Sequence, residues 1–216
     1  MQITIREPSN AITHFIAMMM AVFAAVPLLI KAGLSSNHES FLAMTIFIAS
    51  MILLYGASAA YHSVTVSDRV LKLFKKIDHM MIFVLIAGSY TPVCLLVLGG
   101  PLGYQLLALV WGIALVGITI KALWVTCPKW FSSIIYIAMG WVCLLVFGQL
   151  IETLPTAAFY WLLAGGIIYT IGGVIYALKL PIFNSKHKSF DSHAVFHLFV
   201  MGGSFCHFVF MFRYVA

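Results

Sequence analysis

The chain has 216 residues, 63% of them apolar and only 8% charged, with a formal net charge of +6. Soluble domains carry about 25% charged residues because their surface faces water, and a mean hydropathy of +1.07 leaves too few polar groups to cover such a surface. The composition therefore excludes a soluble globular domain, makes nucleic-acid binding a poor reading of the positive charge, and leaves room for six or seven bilayer crossings of about 20 residues each.

Seven apolar runs follow in chain order: Ala11 to Ile30, Phe41 to His62, Asp78 to Leu98, Tyr104 to Val125, Phe131 to Leu150, Thr156 to Leu178 and His193 to Tyr214. The predicted fold is an all-α bundle of seven transmembrane helices, one domain over residues 1–216, without internal repeat or linker. Gly99, Gly100, Pro101, Pro128, Pro155 and Pro181 mark the short breaks. The first ten residues are too polar for a cleaved signal and the run after them is too long for one, so the first span is expected to stay in the membrane. Cys94, Cys127, Cys143 and Cys206 stand singly, which argues against a disulfide or thiolate-metal framework.

With seven spans, one side of the membrane receives Arg6, Arg69, Lys72, Lys75, Lys76, Lys121, Lys129, Lys179, Lys186 and Lys188, and the other receives only Lys31 and Arg213. Ten against two predicts a cytoplasmic N-terminus and an outer C-terminus. The basic stretch between Val70 and Ile77 has two readings, a segment lying on anionic head groups or a plain topology determinant.

Ionisable residues at membrane depth are costly, so each marks a candidate site. Three spans bring such residues to the cytoplasmic level. His62 ends the second, with Ser58 one turn deeper on the same face; Asp78 opens the third; and Asp191, His193 and His197 open the seventh. His193 and His197 are an i, i+4 pair, and a third imidazole from another helix completes a His₃ set that leaves the fourth tetrahedral position for water. Zinc suits imidazoles and no thiolate is near. Asp78 reads as a direct ligand, as the acceptor of the bound water's proton, or as a helix N-cap beside Lys75 and Lys76. Ser58 reads as a hydrogen-bond donor to the water or to Asp78, or as a small packing residue.

The other histidines sort by position. His207 lies fourteen residues past His193, about 21 Å further along a helix, too far to share the metal. His79 points about 100° away from Asp78, and His38 and His187 fall in connections. Glu7, Asn10 and His14 form one polar face entering the first span, read either as interfacial anchors or as a second shell behind the metal.

Together, Glu7-x-x-Asn10-x-x-Thr13-His14, Ser58-x-x-x-His62, Asp78-His79, the Ala87 to Pro92 stretch AGSYTP, Met139-Gly-Trp141, His193-x-x-x-His197 and Gly202-Gly-Ser-x-Cys-His207 resemble the bacterial hemolysin III family over nearly the whole chain. That family groups with the progestin and adipoQ receptors, including the adiponectin receptors, and with the alkaline ceramidases. The resemblance implies a seven-helix fold, a zinc ion on His62, His193 and His197, Asp78 acting through the bound water, and Ser58 as the serine of the second-helix motif. The stretch before the first span is short beside that of the adiponectin receptors, so receptor-type partners are not expected.

The expected protein is an inner-membrane, multi-pass zinc hydrolase whose partner is a membrane lipid or fatty-acyl substrate, with catalytic Asp78 and Ser58. A second reading is a membrane-homeostasis or lipid-sensing protein in which zinc is structural. A pore-forming haemolysin stands third, because a conducting path needs polar residues along several helices.

Overall fold

A chain crossing lipid must satisfy its backbone hydrogen bonds within each segment, which is why the apolar runs are helices. The computed structural model describes residues 5–178 and 192–216. Seven helices in it are long and apolar enough to cross a bilayer: α1 Pro8–Gly33, α2 His38–Ser63, α3 Asp68–Leu98, α4 Gly100–Leu123, α5 Lys129–Thr153, α6 Thr156–Leu178 and α7 Ser192–Val215. There is no strand among the described residues. Asp191, Pro181, His187, Lys179, Lys186 and Lys188 lie outside them.

The chain is an integral membrane protein with its polarity inverted relative to a soluble one. Phe23, Leu145 and Val116 are exposed on the outer surface, whereas Asn10, His14, Ser58, His62, Asp78 and His197 are buried. Lipid accepts the first group at no cost, and the second must find partners inside the bundle. Neighbours in sequence pack together along α1–α2–α3–α4 and α6–α7; α1 also packs on α7, which closes the ring, and α5 leans on α6. Close approach of α2 and α3 depends on Gly88, where a Cβ would run into the Ser50 side chain and stand 3.3 Å from the Ile46 carbonyl. Gly99 and Gly100, at φ 59° and 52°, make the left-handed turn from α3 to α4.

Two expectations need correction. The third helix does not open at Asp78: it begins at Asp68, and its 31 residues span about 46 Å, well beyond a hydrocarbon core of about 30 Å. Apolarity marks where a helix enters lipid, not where it starts, and Leu, Lys and Arg in residues 68–77 are good helix formers. Asp78 is therefore inside the helix, not its N-cap, and the basic stretch is the first part of α3 and not a separate segment.

The fifth helix is not uniform either. It is α-helical over Lys129–Gly140, tightens to a 3₁₀ stretch at Trp141–Val146, and resumes as α-helix at Phe147–Thr153. Tyr90 of α3 splints the change: its hydroxyl donates to the Gly140 carbonyl at 2.6 Å and accepts from the Cys143 N–H at 2.9 Å. The AGSYTP and Met-Gly-Trp motifs meet at this point. Elsewhere, buried Lys121 keeps its ammonium satisfied by hydrogen bonds to Cys127 and Ser132.

Candidate metal centre

The i, i+4 spacing on α7 places His193 and His197 on one face, with ring centroids 4.6 Å apart. The end of α2 brings His62 against them, at 5.0 Å from His193 and 5.1 Å from His197. One ligand atom from each of the three lies within 4.8 Å of the others. His62 and His197 are fully buried and His193 is half-buried.

Hydrogen bonds behind the rings fix which nitrogen faces inward. His62 Nδ1 is 2.6 Å from Glu7 Oε2, so Nδ1 carries the proton and Nε2 is turned to the centre. Glu7 is held in turn by Asn10 Nδ2, which donates to Oε2 at 3.0 Å, and by Arg6, whose Nη2 is 3.1 Å from Oε1. The His62 hydrogen bond holds the Glu7 carboxyl well below its ordinary range, at about 2, so it stays ionised. The Glu7 N–H also donates to the His62 carbonyl at 3.0 Å, which sews the start of α1 to the end of α2.

His197 is oriented by Thr13, a member of the Glu7 to His14 motif to which the sequence assigned no separate role. Thr13 Oγ1 sits 3.2 Å from His197 Nδ1, while its own proton is directed at the Ser9 and Asn10 carbonyls at 2.9 and 3.0 Å. The threonine therefore accepts from His197 Nδ1–H, and Nε2 of His197 also presents its lone pair. The signal was present: Thr13 is three residues past Asn10, on the polar side of α1.

The donor set fits a borderline divalent cation. His193 Nε2 and His62 Nε2 are 3.3 Å apart, and two ligands about 2.0–2.1 Å from a tetrahedral zinc ion stand about that far from each other. Two ring lone pairs aimed at one point repel unless a proton or a cation lies between them. A ligated histidine whose other nitrogen meets a carboxylate or hydroxyl is the usual arrangement around zinc.

These groups sit at one end of an apolar cavity lined by residues of α1, α2, α3, α5, α6 and α7. Ser58, Asp78, His193 and His197 line this cavity, and His62 adjoins it through the histidine cluster. Of the polar residues at the start of α1, Glu7 reaches the His62 ring directly and Asn10 reaches Glu7. His14 stacks flat on His197 at 3.5 Å between centroids, and neither of its ring nitrogens has a hydrogen-bond partner among the described residues.

Two histidines set aside by position also line the cavity. His79, for all its 100° rotation, has Nδ1 3.4 Å from Asp78 Oδ2 and donating to the Lys75 carbonyl at 2.9 Å. The cavity is wide enough to take in more than one face of α3. His207 stands outside the metal-binding group, and its Nε2 meets the Leu162 carbonyl at 3.3 Å at the far end of the same cavity.

Comparison with known proteins agrees with this architecture. Residues 2–208 match the family described as Haemolysin-III related. The chain is 40% identical over 198 residues to Hemolysin-3 of Bacillus cereus, covering 92% of this chain and 86% of that one. It is 39% identical over 202 residues to the Hemolysin-3 homolog of Bacillus subtilis, covering 93% and 91%. A more distant similarity, 26% identity over 94% of this chain and 50% of the other, links it to progestin and adipoQ receptor-like protein 1 of Caenorhabditis elegans. The chain belongs to the haemolysin-III-related family of membrane proteins.

Proposed function

We propose that the protein is a zinc-dependent hydrolase that cleaves an amide or ester bond of an acyl lipid at the inner leaflet of a bacterial cytoplasmic membrane. The observation that carries this reading is the convergence of three imidazoles, a carboxylate and a hydroxyl at one end of an apolar cavity. The ten-to-two distribution of basic residues supports a cytoplasmic N-terminus, which puts that end at the inner leaflet.

His62, His193 and His197 would hold the ion. When bound, zinc would supply Lewis-acid polarisation of the scissile carbonyl and would bring the pKa of a bound water down to about 7. Glu7 and Thr13 keep the His62 and His197 rings in the tautomer that offers Nε2. Asp78 takes the proton of the attacking water and returns it to the leaving nitrogen or oxygen. Ser58 donates a hydrogen bond to the developing oxyanion or orients Asp78. The apolar walls hold the acyl chain and keep bulk water from the reacting bond.

The same cluster supports a second reading, in which the metal clamps α2 to α7 and lipid binding shifts a helix equilibrium without turnover. The test is purified protein assayed for bound zinc and for hydrolysis across a panel of lipid amides and esters, beside a His193→Ala/His197→Ala double variant. The hydrolase reading expects one zinc per chain, turnover of at least one substrate, and loss of both in the variant. Bound zinc with no turnover across the panel overturns it in favour of the clamp.

A further inference from the structure

The AGSYTP and Met-Gly-Trp motifs take no part in the chemistry just described, yet they meet at the far end of the cavity. A second, smaller cavity lies there. Ser89, Tyr90, Gly140, Trp141, Gly166 and His207 line both, so the two spaces abut through a common wall. Beyond that wall the lining is hydrocarbon, with Phe147, Leu150, Phe159 and Leu163. The wall is also where α5 leaves α-helical geometry, with Tyr90 bridging Gly140 and Cys143.

Two glycines lie at the common wall. At Gly140 and at Gly166 an added Cβ would meet no atom within 4 Å, although both residues line both cavities. Each therefore stands where a larger side chain would project into free space. By contrast, Gly165, one residue from Gly166, is packed hard against His207.

Building on the acyl-lipid reading of the first cavity, we propose that the second cavity is the subsite for the distal end of a long acyl chain, and that Gly166 and Trp141 at the junction set the chain length the site accepts. The occupant follows from the lining. A wall of phenylalanine and leucine offers nothing to a head group or a sugar, whereas the tail of a chain already held in the first cavity passes into it without leaving apolar surroundings. From the histidine end to His207 is about 21 Å of α7, so a short chain stops before the junction and only a long one crosses it.

The experiment is native mass spectrometry of the purified full chain titrated with lauric, palmitic and arachidic acids, which needs no turnover. Wild type is expected to bind all three. Gly166→Leu is expected to weaken arachidic acid by about tenfold or more, the scale of an overpacked contact, and to leave lauric acid unchanged. Leu163→Trp fills the second cavity from its own side and is expected to weaken arachidic acid alone; it carries the test if Gly166→Leu fails to fold. Equal weakening of all three acids, or no weakening of arachidic acid in variants that melt like wild type, overturns the subsite. No binding of any acid to wild type overturns the acyl reading of the first cavity instead, and this inference with it.

Discussion

Glu7→Gln isolates one bond behind the proposed metal site. The carboxylate oxygen lies 2.6 Å from His62 Nδ1, with Asn10 and Arg6 holding it in place. Glutamine keeps the size and hydrogen-bonding capacity but removes the charge that favours the Nδ1–H tautomer and makes Nε2 a better donor. Partners of this kind typically contribute 10- to 100-fold to metal affinity, about 1.4–2.8 kcal/mol. The Glu7 side chain is 40% exposed, so solvent screens part of the interaction and the effect belongs at the lower end, about tenfold. The assay is competition for zinc against a chelator of known affinity at neutral pH, with His62→Ala as the reference for losing a ligand. Thr13→Val should cost less than Glu7→Gln, because it removes a neutral bond of 3.2 Å. Affinity unchanged in Glu7→Gln while His62→Ala loses its metal would refute the reasoning. So would a loss as large as that of His62→Ala, which would make Glu7 a ligand.

Three further outcomes are expected. Asp78→Asn should retain zinc and lose lipid hydrolysis by about 10²- to 10⁴-fold if its carboxylate moves the proton, and a variant with full turnover in the same assay rules that role out. Tyr90→Phe strips the hydroxyl from the Gly140 carbonyl and the Cys143 N–H, and should lower unfolding stability in detergent by about 1–3 kcal/mol; a wild-type melting curve would mean the phenol is no splint. Gly88→Ala forces a Cβ into Ser50 and the backbone of Ile46, at an overpacking cost of about 1–3 kcal/mol that exceeds the roughly 1 kcal/mol gain in helix propensity, and a more stable variant would contradict the close approach of α2 and α3.

Much of the site was legible because charge is scarce here. Only 8% of the chain is charged, so an aspartate and three histidines at one depth stand out against lipid-compatible surroundings. Helix periodicity paired His193 with His197 and Ser58 with His62, since both pairs are local. What periodicity cannot show is which helix backs which. Glu7 reaches His62 across 55 residues and Thr13 reaches His197 across 184, and neither contact is written in spacing. The position of His79 was read from an angle on one helix alone, whereas residues of six helices line the cavity.

By itself, the amino-acid sequence determined the seven membrane helices and the residues at their polar ends, because burial in lipid leaves a one-dimensional record: about 20 apolar residues per crossing, with exceptions that must be accounted for. It did not determine the start of α3, because a solvated helix and a membrane helix differ in polarity and not in backbone geometry. Nor did it show the 3₁₀ stretch in α5, which the phenol of Tyr90 satisfies from another helix. Tertiary packing alone decided the tautomers behind the histidines, the shape of the cavity, and the second cavity that abuts it at Gly166 and Trp141. These depend on the distance between helices far apart in the chain, which is set by where side chains meet and where glycines leave space.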